Sequence, residues 1–176
     1  MDQSHPVSTP LPVKNTLSTL QSPASDAERK IYLEFTNGMH YLEVVGALLY
    51  ATQMQPDIQY AVGLISQFGG NPGIPHLEAA KRIPRYLKDT AHFSLVLGHK
   101  DHHAVDLVGW TDSKAQDPDS RRSIGSFVFD VAGSSVSWSS KKQPTVALST
   151  VEAEYMATSN ATKEAISWLQ VLLEDL

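Results

Sequence analysis

The sequence predicts an α+β fold in which helices come first and strands follow. Between residues 39 and 90 apolar residues recur at steps of three and four, and from residue 93 the step falls to two. After residue 149 the helical step returns over a stretch long enough for one long helix. With 176 residues, 41% hydrophobic and 19% charged, the chain can bury a core as one domain or two small ones.

Composition removes several kinds of chemistry. There are no cysteines, which excludes disulfides, thiolate metal sites and cysteine nucleophiles. No apolar run reaches the length of a bilayer span and the N-terminus has no signal-peptide core, so the expectation is an intracellular protein, cytoplasmic or nuclear, not secreted and without a membrane partner. The net charge of −5 argues against tight non-specific binding to nucleic acid, which rests on neutralising phosphates. Residues 101–176 hold the imbalance, with eleven acids against six bases.

Three regions are expected. Residues 1–38 are rich in Pro, Ser and Thr, with Pro6, Pro10, Pro12 and Pro23 set against regular structure, and read as an extended linker. Residues 39–91 read as helical. Leu42, Val45, Leu48 and Leu49 mark one helix; Pro56 opens the next, with Ile58, Ala61, Val62 and Ile65 on one face. A third should span about 75–88, with a kink or early break at Pro84, because an interior proline removes a hydrogen bond at a cost of about 3 kcal/mol. Residues 92–176 hold candidate strands at Phe93–Leu97, Val105–Asp112, Ile124–Val131 and Ser134–Ser139, the last two joined across Ala132-Gly133. The final helix starts at Ser149 or Thr150 with Ser149 and Glu152 as a capping box, and its stripe should be Val151, Tyr155, Thr158, Thr162, Leu169, Leu172 and Leu176. Trp110, Trp138 and Trp168 are expected as core anchors. His99-Lys-Asp-His-His103 reads as a loop rather than a metal site, and Asp117 and Asp119 as turn-shaping residues.

Several co-linear blocks resemble one family. Trp138-Ser-Ser-Lys-Lys-Gln-Pro-Thr-Val-Ala-Leu-Ser-Thr-Val-Glu-Ala-Glu-Tyr-Met-Ala157 resembles the strand-to-helix junction of a ribonuclease H domain of the Ty1/copia retrotransposon type. Tyr41-Leu-Glu-Val-Val-Gly-Ala-Leu-Leu-Tyr50, Gln55-Pro-Asp-Ile-Gln-Tyr-Ala-Val62 and Ala79-Ala-Lys-Arg-Ile-Pro-Arg-Tyr-Leu-Lys88 resemble the segment that joins reverse transcriptase to ribonuclease H in those polyproteins. The resemblance implies a helical connection segment followed by a truncated ribonuclease H-like half-domain of three antiparallel strands and a long helix. It implies a family activity, the Mg²⁺-dependent hydrolysis of RNA in RNA–DNA hybrids, with carboxylates holding two ions about 4 Å apart.

On this resemblance Asp112, at the end of Val108-Gly-Trp-Thr-Asp112, matches the first-strand carboxylate, and Glu154 the helix carboxylate; both are the candidate catalytic and metal residues. Glu154 falls about 60° from Val151 on a helix, beside the expected stripe, whereas Glu152 suits a cap. Arg121, Arg122 and Ser123 before the second strand, and Ser139, Ser140, Lys141, Lys142 and Gln143 at the end of the third, are the candidate contacts to the hybrid. The family's other two carboxylates would fall after Leu176. The expectation is a polyprotein fragment inactive alone. The rivals are a hybrid nuclease completed by a partner chain, and a non-catalytic module that binds hybrid or retroelement protein. An uncovered sheet edge would favour self-association or docking on such a protein. Lys114 near the metal position and an added residue, Ser167, depart from the family pattern.

Overall fold

A computed structural model describes residues 5–12, 16–98, 106–114 and 116–174. Internal contacts divide the chain after Phe93 into two units, Met1–Phe93 and Ser94–Leu176.

The first unit is helical: α1 (Asp26–Thr36), α2 (Tyr41–Ala51), α3 (Gln59–Ser66) and α4 (Ile74–Asp89), with single 3₁₀ turns at Thr19–Gln21 and Pro56–Ile58. Its core is the stripe of each helix, Val45 and Leu48 from α2, Ala61, Val62 and Ile65 from α3, and Leu77, Ala80 and Ile83 from α4. Tyrosines tie the ends. Tyr41 donates to the Ile65 carbonyl at 2.7 Å, and Tyr86 to the Asp57 carboxylate at 2.7 Å.

Two expectations, a linker over residues 1–38 and a break at Pro84, are corrected here for physical reasons. Residues 1–38 are not an extended linker throughout. Ser25 caps α1 by accepting from the Glu28 N–H, Asn37 ends it at φ 49°, and Leu17 and Tyr32 are buried in the core. Pro84 does not end its helix, since α4 continues to Asp89. Leu77, Ala80 and Ile83 are wholly buried. Burying Leu77 and Ile83 yields roughly 1.5–3 kcal/mol each, which together offset the cost of about 3 kcal/mol for one interior proline.

The second unit is an antiparallel sheet in the order β1-β2-β3, from β1 (Leu107–Lys114), β2 (Ile124–Val131) and β3 (Ser134–Lys142). Ala132 (φ 51°) and Gly133 (φ 75°) make the two-residue turn with two positive φ angles that suits the twist of a hairpin. A bulge between Phe129 and Asp130 shifts the β2–β3 register. Phe93–Leu97 is not a strand: none of the three strands pairs with it, and Phe93, Val96 and Leu97 are exposed. The expected strand Val105–Asp112 lies two residues later, at Leu107–Lys114.

Helix α5 (Thr150–Glu164) starts where expected, with the Ser149 hydroxyl accepting from the Glu152 N–H at 3.1 Å. The Glu152 carboxylate accepts from the Leu148 N–H at 2.7 Å, one residue earlier than a capping box requires. Its buried side matches the expected stripe only at Leu169, and Leu176 lies outside the described residues. Val151, Tyr155 and Leu172 are exposed, and the buried residues are Ala153, Ala157, Ala161 and Leu169. These alanines face the sheet, where a Cβ added to Gly125 would stand in ordinary contact, 3.4 Å from the Ala157 Cβ.

Ser167 lies in a π-helical turn, Ala165–Leu169, that precedes α6 (Gln170–Glu174). In an α-helix Leu169 would sit about 80° around from Ala161. The wider turn absorbs the added residue and returns Leu169 to a cluster with Phe129 and Ala161. The tryptophans are not core anchors. Trp110 and Trp168 are exposed and Trp138 is half-buried. Trp110 and Trp138 both stand opposite Val128, on the face of the sheet turned from α5. The Trp168 indole donates to Glu164 at 2.7 Å. The residues 99–103, read as a loop, lie outside the described residues.

Candidate nucleic-acid and metal site

Helix α5 packs on β1 and β2, and hydrogen bonds fix which side chains of β1 face it. Thr111 Oγ1 lies 3.2 Å from Thr158 Oγ1, and Ser113 Oγ donates to Glu154 Oε1 at 2.9 Å. Side chains alternate along a strand, so Asp112, between these two, belongs to the other face. There it stands opposite Ser126, itself opposite Ser140, and Ser126 donates to Ser140 at 3.0 Å. The two candidate carboxylates are therefore on opposite faces of β1. Both are exposed. Glu154 is engaged by a serine hydroxyl, and among the described residues no three His, Asp or Glu side chains converge as metal ligands. A magnesium pair needs several carboxylates around one point, and this arrangement does not fit it.

The candidate hybrid contacts divide in the same way. Arg121, Arg122 and Lys141 are exposed, Arg121 with φ 56°. Ser139 and Ser140 are half-buried on opposite faces of β3. Lys142 is paired with Asp117, which is buried. Ser123 and Gln143 are buried as well, so neither is a surface contact as expected. The Gln143 N–H donates to the Ser123 carbonyl and its side-chain amide to the Ala153 carbonyl, each at 2.8 Å, fastening the ends of β2 and β3 to the first turns of α5.

Asp117 does more than shape its turn. It accepts from the Asp119 N–H at 2.8 Å, from Ser120 and from Lys142. Burial pushes its carboxyl upward, but Lys142, the Asp119 N–H and Ser120 outweigh burial and hold it below the ordinary carboxylate value. A clue lay in the sequence: Asp117 is followed three residues later by Ser120, a spacing that lets one carboxylate gather a turn.

The chain is 41% identical over its whole length to the retrovirus-related Pol polyprotein from transposon TNT 1-94 of Nicotiana tabacum. Over 81% of its length it is 37% identical to the corresponding polyprotein from transposon RE1 of Arabidopsis thaliana. The chain belongs to the Pol polyprotein family of copia-type retrotransposons. It spans 13% of the tobacco Pol polyprotein and 10% of the Arabidopsis one. A further relative of this Pol segment is the secreted RxLR effector protein 161 of Plasmopara viticola, 46% identical over 74% of this chain and 92% of its own length. No family model matches this Pol segment. No solved structure matches it.

Proposed function

We propose that this chain is the part of a copia-type Pol polyprotein in which the end of a reverse transcriptase leads into ribonuclease H, and that alone it does not hydrolyse RNA in RNA–DNA hybrids. The observation that carries the second half is the bond from Ser113 to Glu154, which leaves Asp112 on the other face of β1. Its place of action is inside the cell, in cytoplasm or nucleus. Arg121, Arg122 and Lys141 are the side chains placed to meet hybrid phosphates, while Lys142 serves the fold.

The test is cleavage of a labelled RNA–DNA hybrid in Mg²⁺ by the purified, folded chain and by Asp112→Asn. The expected result is no cleavage by either. Cleavage by the parent that vanishes in Asp112→Asn would replace this reading with a nuclease whose missing ligands come from a second chain. Hybrid binding without cleavage, weakening steeply with salt and lost in Arg121→Ala/Arg122→Ala/Lys141→Ala, would support the contact assignment.

The Plasmopara relative, matched over nearly its full length and described as a secreted effector, favours a second reading, a free-standing protein acting outside the cell. Recovery of the tagged chain from the culture medium of its expressing cells, rather than from the cell fraction, would support that reading over the first.

A further inference from the structure

The first described residues cross α4 in one direction from end to end. Arg85 Nε donates to the His5 carbonyl at 2.8 Å. Arg82 donates from Nε to the Thr9 carbonyl and from a terminal nitrogen to Thr9 Oγ1, each at 3.0 Å. His76 Nε2 lies 3.1 Å from the Ser18 carbonyl, and Asn71, just ahead of the helix, donates to the Pro23 carbonyl at 3.1 Å. As residue numbers rise along this strap they fall along the helix, so the two run antiparallel.

Val7, Thr9, Pro10 and Leu11 are partly buried, Val7 and Leu11 against the core of the first unit, while Ser8 is exposed. Pro6, Pro10 and Pro12 lack an N–H and hold φ near −65°, so this stretch cannot complete a sheet ladder, and it bends through residues 8–11 as it passes the helix. Its carbonyls are instead met by planar guanidinium groups, whose fixed fork suits two acceptors on one residue, as at Thr9. Backbone carbonyls taken by side chains of a helix, with apolar residues of the segment set against a core, make a peptide-binding arrangement.

We propose that the Arg82–Arg85 side of α4 is a peptide-binding groove whose resident ligand is the chain's own segment His5–Pro12. The partner class it accepts is a proline-rich polypeptide, branched apolar at two positions four apart, with a threonine between them and prolines around them. The segment is held by contacts that a competing peptide of the same kind can reproduce.

The test uses the full chain and Arg82→Ala/Arg85→Ala. Brief digestion with proteinase K, read by mass spectrometry, reports cutting between Val7 and Leu11. Cutting should be about tenfold faster in the variant while its circular dichroism and melting temperature stay near those of the parent, because tethering carbonyls are released without loss of core. Equal rates in the two proteins would overturn the proposal. A labelled peptide, His-Pro-Val-Ser-Thr-Pro-Leu-Pro, provides the second arm. Full-length Val7→Asp/Leu11→Asp, whose own segment is loosened, should bind it at least about tenfold more tightly than the parent does, since an occupied groove lowers apparent affinity by the fraction left open. Failure of that folded variant to bind the peptide would likewise sink the groove; should that variant not fold, the digestion decides.

Discussion

The Lys142 ammonium is ion-paired with the Asp117 carboxylate, joining the last residue of β3 to the loop between β1 and β2. Asp117 is buried and Lys142 half-buried, so the carboxylate depends on this partner and on the Asp119 N–H and Ser120 hydroxyl around it. Its folded pKa is lowered. The stabilisation is therefore complete above the unfolded carboxyl value of roughly 4 and disappears as pH falls through the lower folded value. Melting temperature against pH should fall on the acid side in the parent and fall less in Asp117→Asn. At neutral pH Lys142→Met, which strands the buried charge, should cost about 3 kcal/mol in a denaturant titration. A cost below the error of that titration would remove the ion pair from any role in stability.

Two glycines on the α5 side of the sheet should respond differently to a methyl group. A Cβ on Gly109 would meet the Phe129 ring at 2.3 Å, and that ring is buried against Ala161 and Leu169. A Cβ on Gly125 would meet only ordinary contacts at 3.4–3.5 Å. Gly109→Ala should destabilise by about 1–3 kcal/mol through overpacking, and Gly125→Ala by clearly less. Thermal melts of the two variants compare them directly.

Removal of Ser167 should be harmless. The deletion shortens the path from Ala161 to the leucine at 169 to seven residues, which on an α-helix is about 20° from alignment. The π turn loses its cause, and the leucine stays on the seam. The deletion variant should melt no lower than the parent, whereas Leu169→Ala should lose about 2–4 kcal/mol. A deletion that melts as low as Leu169→Ala would show that the π turn is itself required.

Alkali should loosen the first unit. Burial and the bond to Asp57 push the Tyr86 phenol up to about 12, and burial also raises Tyr32 and Tyr41. A raised phenol favours the neutral folded form, so its stabilisation is full below the unfolded value of roughly 10 and is lost as pH rises through the folded value. Phenolate absorbance should therefore show a late group of tyrosines that titrates together with unfolding. Tyr86→Phe should cost about 1 kcal/mol at neutral pH and lessen the alkaline decline. An unchanged absorbance titration in that variant would count against the assignment.

Much of the architecture could be read from residue pattern alone. Ile124–Val131 is a strand over those residues, the Ala132-Gly133 turn has both positive φ angles, and Ser149 caps α5. What stayed hidden shares a cause. Periodicity weights large apolar side chains, so Val151 and Tyr155 looked like the buried stripe of α5, while the contact is made by Ala153, Ala157 and Ala161, with Ala157 set against Gly125. The Lys142–Asp117 pair joins positions 25 residues apart, and no local pattern marks such a partner. The strap was equally silent, because prolines that forbid helix and sheet still permit an irregular, bent chain held by arginines. The candidate carboxylates were legible as residue types, but alternation along β1 decides which side each faces.

The bond between Arg85 and His5 spans 80 positions. During synthesis residues 5–12 leave the ribosome well before α4, the last helix of the unit that receives them. Until α4 has emerged, the arginine contacts to residues 5 and 9 cannot form, so this segment is expected to settle late in its unit. A bond of such long sequence separation closes only after the local helices have formed, which makes it a slow, late step. Vectorial order thus gives every newly made copy an interval in which its groove is empty and its ligand is loose.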